Sequence, residues 1–125
     1  MAQGLEFEYV SSTVSVLDGD GIVVHVVNDS TAEGEAQVII YENTGAGANT
    51  VTDSGVVALT PTWQWGLGYT VSSSGEYWIR IRVSSQDLIP MTSFERLQDS
   101  VWVPVVTYRP GDFAVFKIRP RERIW

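Results

Sequence analysis

One histidine and no cysteine leave this sequence with few of the usual catalytic groups. There is no cysteine, which removes thiolate nucleophiles, thiolate ligands and disulfides together. The single histidine, His25, lies inside Val23-Val24-His25-Val26-Val27. General acid-base work needs a His or carboxylate within hydrogen-bond reach of a concave site. A histidine inside an apolar run reads instead as a half-buried strand residue.

Asp18-Gly19-Asp20-Gly21 invites a calcium reading, because hard cations collect several carboxylate and carbonyl oxygens in one loop. Two acids are too few, although Glu33 and Glu35 could add oxygens from a neighbouring loop; a turn is the expectation. Gly45-Ala46-Gly47 lacks the following helix that a phosphate cradle requires. Asn28-Asp29-Ser30 matches the N-glycosylation acceptor pattern, a short pattern that arises often by chance. No catalytic residue, no metal ligand set and no cofactor site is predicted, and the chain reads as non-enzymatic.

The aromatic residues carry more. Five tryptophans could build the stacking platform of a carbohydrate-binding module. Along residues 63–71, however, Trp63, Trp65, Leu67, Tyr69 and Val71 share one strand face, which predicts that Trp63 and Trp65 lie in the core. Trp78 differs, because Tyr77, Ile79, Ile81 and Val83 form an inward face that sends Trp78 outward with Arg80 and Arg82. If the strand holding Val38 and Ile40 lies alongside, it turns Ile39 and Tyr41 to the same outer surface. A cluster of Ile39, Tyr41, Trp78, Arg80 and Arg82 has the aromatic and arginine composition of interface centres. Either residues 92–118 cover it, which is the first expectation, or a protein partner or second copy does.

The elements that must position these residues are strands. Apolar and polar residues alternate over short stretches, and no segment sustains helical spacing. Candidate strands are residues 5–16 with a break near Ser11, then 22–28, 36–42, 51–59, 63–72, 77–84, 92–97, 101–108 and 113–118. Turn residues separate them, including Arg109-Pro110-Gly111-Asp112, where Pro110 and Gly111 suit a type II turn between antiparallel strands. Eight or nine short strands without intervening helices point to an antiparallel sandwich, and residues 1–125 read as one domain.

Net charge is -7, against a nucleic-acid partner. It is unevenly spread: residues 1–79 hold ten acids and no Lys or Arg, whereas residues 80–125 hold five acids and all eight basic residues. The basic tail, Lys117, Arg119, Arg121 and Arg123, is read as a solvated terminus, with docking on an acidic face as the competing idea. No apolar run is long enough for a membrane helix, and the first eight residues lack the features of a secretory signal, so the compartment stays open.

One resemblance rests on residues 22–85. The strand entering Val27-Asn28-Asp29-Ser30, the strand Ala36-Gln37-Val38-Ile39-Ile40-Tyr41, the segment Val57-Ala58-Leu59, and Ser74-Gly75-Glu76-Tyr77-Trp78-Ile79-Arg80-Ile81-Arg82-Val83 together resemble bacterial immunoglobulin-like modules of the cell-adhesion-related and fibronectin III-like type. The resemblance implies an all-β immunoglobulin-like sandwich in which Tyr77 makes a tyrosine corner. Residues 92–118 would extend it as a C-terminal β-meander. It also implies a structural or protein-interaction role in a bacterial surface or particle assembly, with carbohydrate binding as the alternative.

Overall fold

Burial alternates residue by residue along most of the chain, so each strand has an inner and an outer face. A computed structural model describes residues 4–44 and 46–118. Among these, eleven strands form two antiparallel sheets packed as a sandwich: β1 (Phe7–Val10), β2 (Val14–Val16), β3 (Gly21–Asn28), β4 (Gly34–Thr44), β5 (Gly47–Asp53), β6 (Val57–Leu59), β7 (Gln64–Thr70), β8 (Gly75–Val83), β9 (Leu88–Gln98), β10 (Val101–Tyr108) and β11 (Ala114–Lys117). The first sheet runs β11-β1-β8-β4-β5, with β2 beside β8 and β6 beside β4; the second runs β10-β9-β3-β7.

The count exceeds nine because two predicted strands are divided. Ser11 interrupts the first, where its hydroxyl takes the Ile79 N–H and its own N–H bonds the Ile79 carbonyl. Gly55, at φ 69°, interrupts residues 51–59. The core lies between the sheets: Ile22, Val24 and Val26 of β3 and Phe94 of β9 meet Val38 and Ile40 of β4 and Tyr77, Ile79, Ile81 and Val83 of β8. The Tyr77 hydroxyl, at the start of β8, donates to the Ser73 carbonyl at 2.8 Å.

The expected C-terminal meander is not what forms. Strands β9 and β10 make a hairpin through Asp99 and Ser100, both at positive φ, but β11 leaves that sheet and pairs with β1 in the other. The link between them is a 3-10 turn at Pro110–Asp112, not a type II turn, and Gly111 does not adopt a positive φ. The Asp112 carboxylate accepts the Arg109 N–H and tightens that turn. Phe113 then plugs the crossing, edge-on to Tyr9 at 6.0 Å and 5.4 Å from the Tyr108 ring. Burying that ring favours the crossing over a third hairpin strand.

Candidate functional site

Strands β8 and β4 are neighbours in the first sheet, and their register decides which side chains meet. Arg82 stands opposite Gln37, Arg80 opposite Ile39 and Trp78 opposite Tyr41. On the other flank of β8, Glu8 of β1 stands opposite Arg82 and Val10 opposite Arg80. Because inward residues of β8 are fully buried, all these partners share the outer face. Ile39, Tyr41, Trp78, Arg80 and Arg82 are therefore brought together, as their spacing predicts.

The two rings stack across the strands, with centroids 4.1 Å apart and planes at 16°. The Arg80 guanidinium carbon lies 5.4 Å from the Tyr41 centroid and 5.5 Å from that of Trp78, within cation–π range of both. Arg80 Nη1 also donates to the Tyr41 hydroxyl at 3.2 Å, and the Trp78 indole N–H donates to Asn43 Oδ1 at 3.2 Å. Ile39 is the floor of the cluster: it is buried at 6% exposure yet lies outside the intersheet core.

Glu8 joins the two arginines. Arg82 Nε donates to Glu8 Oε1 at 3.2 Å, and Arg80 Nε stands 3.6 Å from the same oxygen, an ionic contact beyond hydrogen-bond length. Beyond Ile39, Asp53 accepts from the Gln37 amide at 2.9 Å and from the Gly55 N–H at 2.8 Å. Those bonds, with the nearby Arg82 charge, hold its carboxyl below the usual carboxylate range. The face thus sets two arginines around one acid, Glu8, with Asp53 nearby and held by Gln37 and the Gly55 N–H, while Arg80 Nε is buried without a hydrogen-bond partner among the described residues. Glu8, Asn43 and Asp53 escaped sequence reading, since which outward residues of separate strands meet depends on sheet order.

Residues 92–118 do not cover the cluster. Strands β9 and β10 lie in the opposite sheet, and β11 joins the first sheet beyond β1, separated from β4 by both β1 and β8. Residues 119–125 of the basic tail lie outside the described residues.

Other candidates resolve into structure. Asp20 accepts two hydrogen bonds from Arg96, each 3.0 Å, and one from the Leu17 N–H at 2.9 Å. Its oxygens are thereby occupied, and Glu33 and Glu35 sit beyond the far end of β3, about 23 Å away at ~3.3 Å per residue. They do not complete a calcium site with it. Asn28 is fully buried, its amide nitrogen shared among the carbonyls of Ala32, Leu59 and Thr60. It is a loop anchor, inaccessible as a glycan acceptor in the fold. His25 is half-buried on the outer face of the second sheet, opposite Gly66 and Met91.

Trp65 is half-buried against the core, but Trp63 is 60% exposed, contrary to the expectation that it lies inside. The alternation does not reach it, because β7 starts at Gln64 and the preceding turn, with Thr62 at φ 61°, reverses the chain.

No family model matches the chain, and neither does any curated protein. Among solved structures, a crystal structure of Thermotoga maritima 1070 is similar at TM-score 0.59 and 9% sequence identity, over 85% of this chain and 92% of that one. At that identity the likeness concerns the fold alone.

Proposed function

We propose that this chain is a non-catalytic sandwich module that binds another protein through the outer face of β8 and β4. The observation that carries this reading is the Tyr41–Trp78 stack capped by Arg80 and left open by residues 92–118. Aromatic and arginine side chains held rigid by neighbours lose little entropy on binding, which suits them to the centre of an interface. Arg80 and Arg82 share the single carboxylate of Glu8, so the face keeps cationic donors to offer a partner.

The carbohydrate alternative is less well supported. A sugar platform needs ring faces laid open, whereas here each ring turns a face to the other. For the immunoglobulin-like reading, support comes from the Tyr77 hydroxyl bond to Ser73, which resembles a tyrosine corner, and from the pairing of β3 with β7 and β4 with β8. Strand β9 beside β3 departs from that order.

The test compares binding partners captured by the wild-type protein with those captured by Trp78→Ala and Arg80→Ala, alongside a glycan array. A partner retained by wild type and lost by both variants, at unchanged melting temperature, is the expected result. Equal loss of stability in both variants would assign the face to folding. Glycan binding that depends on Trp78 would favour the alternative.

A further inference from the structure

The two sheets end in four strands, β11, β5, β10 and β7, and these edges are not equally protected. An edge strand offers a row of free N–H and C=O groups to any other chain, and proteins blunt it with proline, charge, bulges or shortness. Strand β10 carries Pro104 and a bulge at Val105, between the paired Pro104 and Val106. Strand β5 bulges at Val51, between the paired Thr50 and Thr52, and ends on Asp53. Strand β11 is only four residues long and ends on Lys117. Strand β7 has none of these devices: its seven residues pair with β3 in unbroken register, and no charged residue lies between Asp53 and Glu76.

Backbone alternation shows which groups of β7 are free. At its two ends the Trp63 carbonyl accepts the Asn28 N–H, and the Val71 N–H donates to the Asp20 carbonyl, each at 2.8 Å. Odd-numbered residues therefore turn their backbone groups to β3, and Gln64, Gly66, Gly68 and Thr70 turn theirs to the open edge. The inward side chains Trp65, Leu67 and Tyr69 are only half-buried, whereas Ile22, Val24 and Val26 beside them on β3 are fully buried. The apolar row breaks off where one more strand would continue it.

What that strand is can be read from β7 itself. Its sequence, Gln-Trp-Gly-Leu-Gly-Tyr-Thr, is symmetric by residue class about Leu67: glycines next to it, aromatic residues beyond them, uncharged polar residues at the ends. We propose that two copies of this chain pair β7 with β7, antiparallel, about a two-fold axis at Leu67, joining their second sheets edge to edge. That register sets Trp65 beside the partner's Tyr69, Leu67 beside the partner's Leu67, and Gly66 opposite the partner's Gly68. Every contact then occurs twice, as an isologous interface requires. The hydrogen-bonded pairs fall on Gln64 with the partner's Thr70 and on Gly66 with the partner's Gly68, the residues whose backbone groups are free, for about eight bonds in all. The half-buried row of each copy continues into that of the other. A strand from a different protein could use the same edge, but only self-pairing uses its symmetry. Main-chain hydrogen bonds carry such strand addition, so association is weak and concentration-dependent.

Sedimentation equilibrium from about 1 to about 500 µM, in low and in high salt, tests the inference. Mass should rise with concentration from 13.8 kDa towards twice that value, and high salt should not reverse it, since the paired edge carries no charge. Gly68→Pro should keep the fold, because the N–H it removes faces the open edge, where strands accept proline, and an added Cβ there meets nothing within 4 Å. It should weaken association about tenfold or more, by deleting one donor from each copy and setting a ring against the partner strand. Amide hydrogen exchange in the wild-type protein decides the matter if that variant misfolds: the Gly66 and Gly68 amides should slow about tenfold or more between about 10 and about 500 µM, while amides on the open edge of β10 stay as they are. Trp78→Ala, on the other sheet, should leave the mass unchanged, which separates this inference from the proposed binding face. A monomer at the highest concentration, a dimer intact in folded Gly68→Pro, a dimer without slowed exchange at Gly66 and Gly68, or a dimer lost in Trp78→Ala would each overturn it.

Discussion

A single buried acid shows how one residue organises a corner of this sandwich. Asp20 closes the turn before β3, and its carboxylate ties that turn to β9 through Arg96. The Arg96 hydrogen bonds hold the Asp20 carboxyl below its ordinary range, outweighing the opposing effect of burial. A depressed folded value stabilises the native state above the unfolded value, about 3.9, and that contribution disappears as pH falls through the folded value. Arg96→Ala should destabilise the protein at pH 7, because the buried Asp20 carboxylate then keeps only its bond from the Leu17 N–H. Urea titrations should show the deficit shrinking below about pH 4, as Asp20 becomes protonated in the variant and then in the wild type. A deficit independent of pH would mean that Arg96 acts through packing alone.

At the level of strands and turns, local chemistry explains what was legible. The inward faces of β4 and β8 followed from alternation, and so did the meeting of Trp78 with Arg80 and Arg82, because a side-chain period of two survives any sheet order. What alternation lacks is the identity of the neighbour, so Glu8 joined the arginines unannounced, and the point where a strand begins, so Trp63, just before β7, stayed outside. The crossing after β10 was equally hidden. It depends on Phe113 finding Tyr9 and Tyr108, a contact far apart in sequence. The β9–β10 hairpin carries a cost that is easily removed: Asp99 and Ser100 occupy φ 50° and 65°, where glycine and asparagine are at ease. Ser100→Gly should therefore stabilise the protein by about 0.5–1 kcal/mol, read as a higher urea midpoint at constant slope. No gain would show that the hairpin strain is already relieved by its side-chain surroundings.

Taken whole, the molecule folds its uneven charge only partly back on itself. Strand β1 brings Glu8 between Arg80 and Arg82, and the turn before β3 brings Asp20 to Arg96. Those are the acids in ion pairs among the described residues, and the chain retains a net charge of -7. Repulsion among the remaining acids then acts against the compact state. Two consequences follow from its sign. Raising salt from about 10 to about 150 mM shortens the Debye length from roughly 30 to roughly 8 Å, so the melting temperature should rise by about 3–6 °C if relief reaches ~1 kcal/mol. Acidifying from pH 7 towards pH 5 should also stabilise, as the net charge falls towards zero near the isoelectric point of 4.5 while Asp20 and Asp53 stay ionised. Below about pH 4 the unfolded chain takes up protons on these two carboxyls while the native state still holds them ionised, and stability should drop. Calorimetry across pH and salt should therefore find a maximum on the acid side of neutrality. A melting temperature that falls with added salt at pH 7 would show instead that attraction between acidic and basic regions outweighs repulsion.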